Sequence, residues 1–132
     1  MTMSEDYGFV NVETVAHDSN PDPTSEMEFG KLTETLGCEE MRLNTCTIPP
    51  GDEGPYHKHE SQEEVYVLLD GPGHVTVDGD LVDVPEGGIV RLPAETPRKF
   101  VNETGEEQRW LMIGAPPVGT VDDMGEFVMV EE

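Results

Sequence analysis

The chain has 132 residues, enough for one buried core and too few for two. Its 29 Asp and Glu outnumber 7 Lys and Arg, for a formal charge of -22; the acids are spread along its length, and no basic stripe exists to neutralise phosphates, which excludes nucleic acid as a partner. There is no apolar run of about 18 residues and no basic-then-apolar N-terminus, so neither a membrane span nor a secretory signal is indicated, and a cytoplasmic protein is expected.

Alternating or β-branched apolar segments recur between Gly and Pro punctuation, which predicts many short strands and no convincing helix. In chain order the predicted strands are Phe9–Val15, Lys31–Leu36, Met41–Ile48, Glu64–Leu69, His74–Val77, Leu81–Val84, Ile89–Leu92, Arg98–Asn102, Arg109–Ile113 and Glu126–Val130. Residues 16–28 are polar and twice interrupted by proline, which reads as a surface loop or mobile arm carrying an exposed His17. The Asp78-Gly79 pair between Val77 and Leu81 is the strongest hairpin signal. The organisation expected is one domain: a strand and arm over 1–30, a barrel core over 31–115 and a tail strand over 116–132, which pairs at a sheet edge within the chain or across a dimer.

Cys38 and Cys46, if on one strand, stand roughly 26 Å apart, beyond the 4.4–6.8 Å that a disulfide spans, so free thiols are expected. Cys46 reads as a buried small hydrophobe. His74 and Lys58 read as solvent-facing. Trp110 and Met112 share one strand face, Leu111 and Ile113 the other, a stripe that reads as core.

The chemistry concentrates between Gly51 and Gly71. Gly51, His57, His59, Glu64 and Gly71 stand in the order G-x5-H-x-H-x4-E-x6-G. Strand side chains alternate faces, so His57 and His59 point the same way about 6.5–7 Å apart along the backbone and can converge on one ion. Two imidazoles and a carboxylate suit divalent first-row metals and leave coordination positions open. Glu63 is the competing carboxylate; Glu64 shares parity with Tyr66 and Leu68 and is preferred.

This spacing resembles the first motif of the cupin superfamily, all-β jelly-roll barrels (the double-stranded β-helix). The resemblance implies that His57, His59 and Glu64 bind a divalent metal (Fe, Mn, Ni or Zn), and it favours a homodimer. The family's second motif, G-x5-P-x-G-x2-H-x3-N, is met at Gly87, Pro93 and Asn102, but Glu95 stands at the second glycine and Arg98 at the histidine, normally the fourth protein ligand. A guanidinium is always charged and cannot bind a cation, so the site loses one ligand.

Three arrangements of Arg98 follow. It anchors a substrate anion beside a three-ligand metal; it replaces the metal and pairs with Glu64; or it bends out to Glu95. Tyr66 and Phe100 have the parity of Glu64 and Arg98 and are expected to flank the same cavity, with Arg98 and Tyr66 the candidate catalytic groups. A small-molecule substrate with oxygenation, isomerisation or decarboxylation chemistry is one function class; a metal-free binding module for a sugar or metabolite anion is the other.

The acid excess reads as a solvated surface suited to a salt-rich cytoplasm, in preference to a patch for a basic partner or a cation store. Self-repulsion weakens as salt shortens the Debye length from about 10 Å at 0.1 M to about 3 Å at 1 M. The melting temperature should therefore rise across that range of KCl in a thermal scan. An unchanged value would remove this reading of the acids.

Overall fold

The computed structural model describes residues 2–3, 7–15, 17–19, 26–118 and 128–131. The elements in chain order are β1 (Thr2–Met3), β2 (Gly8–Phe9), β3 (His17–Ser19), β4 (Glu28–Lys31), α1 (Thr33–Leu36), β5 (Arg42–Ile48), β6 (His57–Lys58), β7 (Glu63–Asp70), β8 (Gly73–Val77), β9 (Asp80–Val84), β10 (Ile89–Leu92), β11 (Arg98–Val101), β12 (Gln108–Ala115) and β13 (Val128–Met129). A 3-10 turn occupies Val12–Thr14.

Apart from the small β1–β2 pair, the strands form two sheets: one of six in the order β10-β7-β12-β5-β4-β3 and one of five in the order β13-β6-β11-β8-β9. Their pairings are antiparallel. The buried apolar cluster draws Phe29, Cys46, Ile48, Tyr66, Leu68, Leu92 and Trp110 from the first sheet and Val75, Val84 and Phe100 from the second. The core thus lies between the inner faces, as expected of a jelly roll.

Period-2 alternation explains most of this. Along β7, Glu64, Tyr66 and Leu68 are buried while Val65, Val67 and Leu69 are only half-buried. Along β12, Trp110 is fully enclosed and Leu111 and Ile113 sit half-buried on the opposite face. Phe100 stacks on Tyr66 with ring centroids 4.7 Å apart and tilts against Trp110 at 5.1 Å, so aromatics join the two sheets.

Five expectations are corrected. The predicted strand Phe9–Val15 is cut after Phe9, because the Asn11 side chain accepts from the Glu13 amide and draws the chain into the 3-10 turn. Of the predicted strand Lys31–Leu36 only Lys31 lies in a strand, as the last residue of β4, and Thr33–Leu36 form one turn of helix, so the expectation of no helix fails. Gly37, at φ 77°, ends that turn in the left-handed conformation, with its amide bonded to Glu34 O and the Cys38 amide to Thr33 O. In the expected loop 16–28, His17–Ser19 instead pair with β4. The side chain of His17 and residues 20–25 lie outside the described residues.

The fourth correction concerns His74, whose side chain is only 17% exposed and whose Nε2 lies 3.1 Å from Asp83 Oδ1 on the neighbouring strand. Lys58 is half-buried as well, since β13 pairs alongside it. β13 is an edge strand within the chain and spans Val128–Met129, with residues 126 and 127 outside the described residues. Among the described residues no helix is long and apolar enough to cross a membrane.

Two motif glycines have local reasons. Gly51 turns the chain at φ 78° and donates its amide to Asn102 O, so the first motif's glycine meets the second motif's asparagine. At Gly71, a Cβ would run into the Leu68 side chain.

Trp110→Ala should lower stability by about 3–5 kcal/mol in urea unfolding, whereas Leu111→Ala on the outer face should cost clearly less. Equal losses would contradict this assignment of inner and outer faces.

Candidate metal centre

His57 and Lys58 form the short strand β6, and His57 pairs directly with Arg98 of β11. One residue on, the His59 amide donates to Ala94 O in the β10–β11 turn at 2.7 Å. Glu64 stands near the start of β7 in the other sheet. The three side chains nevertheless meet: one ligand atom from each of His57, His59 and Glu64 lies within 4.8 Å of the others. The imidazoles make an edge contact with centroids 5.2 Å apart.

The orientation of His57 is fixed by Nδ1, 2.9 Å from Pro55 O. A carbonyl only accepts, so the neutral ring carries its proton on Nδ1 and keeps the Nε2 lone pair as a ligand. Burial pulls the His57 pKa down to about 4, opposed in part by the Pro55 contact and by Glu64. At neutral pH this imidazole is in the form that binds metal.

Glu64 is buried, and burial alone would raise its pKa. His59, the Tyr66 hydroxyl and Arg98 outweigh burial and hold the carboxyl below its ordinary value. Oε1 accepts from Tyr66 Oη at 2.7 Å and lies 3.1 Å from His59 Nε2 and 3.6 Å from Arg98 Nη2. Burial and the adjacent carboxylate push the Tyr66 phenol well up, so it stays a donor. Glu63, the competing carboxylate, is exposed and paired with Arg91.

Arg98 follows none of the three expected arrangements in full. It is completely enclosed, with Nη1 donating to Ala94 O at 3.0 Å and Thr96 O at 2.8 Å, and Nη2 more loosely to Leu92 O and Pro93 O. It forms a 3.6 Å ion pair with Glu64, the contact expected in the second arrangement, has no ion pair with Glu95 among the described residues, and is absent from the cavity wall. Its Nε has no hydrogen-bond partner among the described residues. The fork is thus committed to the carbonyls of its own turn, and its charge sits behind the ligands. Asn102 also holds a turn, donating to Ile48 O and Glu106 O and accepting from Thr104.

The ligand atoms open into a cavity of about 50 Å³. Tyr66, Phe100 and Met112 line it, together with Met27 and Phe29. Sequence reasoning missed Arg42, Asn44 and Gln62, which also line it. The signal was available: Arg42 and Asn44 share parity on β5, and Gln62 shares parity with Glu64. Gln62 Nε2 donates to Pro116 O and Arg42 Nε to Val118 O, which ties the segment after β12 to this part of the cavity wall. Cys46 lies in the core rather than on the cavity wall, and burial raises its thiol pKa, which suits the inert role expected. Neither Cys38 nor Cys46 is joined in a disulfide.

The cupin domain family matches residues 44–114, a stretch that takes in His57, His59, Glu64 and Arg98. The chain belongs to the cupin family. This cupin is 32% identical over 80 residues to an uncharacterised protein of Methanocaldococcus jannaschii, a match covering 61% of the chain and 64%, under two thirds, of that protein. Among solved structures it is similar to the polyketide cyclase RemF from Streptomyces resistomycificus, with 23% identity, 94% and 85% of the two chains covered and a TM-score of 0.75. It is also similar to a sugar phosphate isomerase of Silicibacter pomeroyi DSS-3, with 16% identity, 94% and 92% covered and a TM-score of 0.73. At these identities the structural likeness is one of fold.

The low pKa of His57 sets a pH dependence for the metal-free cupin. Between about 4 and 6.5 the unfolded chain binds a proton that the folded site refuses, so stability falls as pH drops through this window. His57→Gln should lose less stability than the wild type between pH 7 and 4.5 in urea unfolding, by on the order of 1–2 kcal/mol. Comparing the two proteins cancels the carboxylates common to both. Parallel losses would show that His57 titrates normally.

Proposed function

We propose that this cupin holds a divalent transition metal, iron, manganese, nickel or zinc, on His57, His59 and Glu64, and acts as an enzyme on a small oxygenated or anionic molecule. One observation carries the reading: three ligand atoms from two sheets converge within 4.8 Å at the wall of a cavity. Such a donor set fits a borderline metal, which with open positions would supply Lewis-acid or oxygen-activating chemistry for isomerisation, decarboxylation or oxygenation.

The protein's own residues have definite tasks in this reading. Pro55 O orients His57, and the Tyr66 hydroxyl holds Glu64 Oε1 in place, so Tyr66 acts as a positioning residue in the first instance. The apolar wall of Met27, Phe29, Phe100 and Met112 limits water, and the cavity size restricts the ligand to a small molecule. Arg42, Asn44 and Gln62 offer polar groups for oxygen atoms of that ligand.

The second reading is a metal-free binding module. It is favoured by the Arg98 charge beside Glu64 and by the close approach of His59 to the same oxygen, contacts that satisfy the carboxylate without an ion. Under either reading we place the protein in a salt-rich cytoplasm. We also propose a homodimer, for which the half-buried outer residues Val65, Val67, Leu111 and Ile113 offer an apolar face.

Metal analysis separates the two readings. Protein purified without chelators should carry about one transition metal per chain, and His57→Ala or Glu64→Ala should remove nearly all of it while circular dichroism stays native. Metal-free wild type that gains no thermal stability from added zinc, manganese, nickel or ferrous iron would overturn the enzyme reading.

A further inference from the structure

The distribution of charge around the cavity runs opposite to that of the chain. Acids outnumber bases 29 to 7 overall, yet Glu64 is the one carboxylate among the described residues of the cavity wall. Arg42 lines the same cavity, and Arg98 lies directly behind Glu64, so two of the seven basic residues gather here. Arg98 is fully enclosed, and its closest described carboxylate oxygen is Glu64 Oε1 at 3.6 Å. Backbone carbonyls and that one carboxylate meet its charge, and in the low-dielectric interior its repulsion of a second cation is little screened.

Resting on the metal reading above, the charges add simply. A divalent ion with Glu64 and Arg98 leaves two positive charges in excess, and Glu64 is asked to serve both cations at once. We propose that Arg98 is a fixed counter-charge that weakens cation binding at His57, His59 and Glu64, so that the metal is fully held only together with a small oxyanion, such as a carboxylate, in the cavity. Metal and anion then bind cooperatively, each raising the affinity for the other by the same factor.

The competing role of Arg98 is mechanical, since its fork ties Ala94 O and Thr96 O within the β10–β11 turn. Three proteins separate charge from clamp. Arg98→Met keeps an unbranched apolar stem without charge. Arg98→Lys keeps the charge but has no planar fork to spread over the carbonyls. Each is compared with the wild type for native circular dichroism and for zinc affinity, read by competition with a chromogenic chelator with and without saturating acetate.

The wild type should bind zinc about tenfold or more tightly when acetate is present. Arg98→Met should bind zinc alone about tenfold or more tightly than the wild type and lose most of the acetate dependence, while Arg98→Lys follows the wild type. Lys behaving like Met would assign the effect to the clamp and overturn the proposal. So would a wild type indifferent to acetate, a result that stands even if Arg98→Met does not fold. Equal zinc binding by all three proteins sinks this inference alone, whereas no zinc binding by any of them sinks the metal reading with it.

Discussion

A single buried carboxylate oxygen ties the molecule together. Glu64 Oε1 belongs to the six-stranded sheet, and within 3.6 Å it meets Tyr66 of its own strand, His59 just beyond β6 and Arg98 of β11. The last two belong to the opposite side of the barrel. A carboxylate excluded from water must find donors, and here they can be reached only if the two sheets close over one another at this point. The aromatic contact of Tyr66 with Phe100 makes the same crossing in apolar form immediately beside it.

That constraint gives the site its chemistry as well as its place. The Tyr66 hydroxyl and Arg98 favour the ionised carboxyl, while burial favours the neutral imidazole of His57. Both are the protonation states a metal requires. The cavity inherits its apolar wall from the same inward-facing positions that make the core, so site and core form one continuous surface divided by polarity.

The turns supply the rest of the geometry. The β10–β11 turn is held from inside by Arg98 and reaches back through Ala94 O to the His59 amide, which places the second imidazole. Gly51 and Asn102 join the turn after β5 to the one after β11. The residues in register with the two family motifs are therefore largely those that fix loops beside the ligands.

The sequence by itself determined which residues share a sheet face, because side-chain alternation is a local property of a strand; that Trp110 faces inward while Leu111 and Ile113 face outward was decided by the packing of the two sheets. It also picked out the three residues that converge as a group able to hold a metal, since parity separated Glu64 from Glu63. It failed where a local turn competes with strand pattern, at Asn11 and Gly37, because such choices hang on one side-chain cap or one left-handed residue. Only the tertiary structure decided what Arg98 does. A guanidinium's reach is long and its partners are backbone carbonyls, which every sequence possesses and none advertises. Parity put Arg42 with Asn44 and Gln62 with Glu64, but that those faces border the same cavity was decided only when segments distant along the chain came to share one surface.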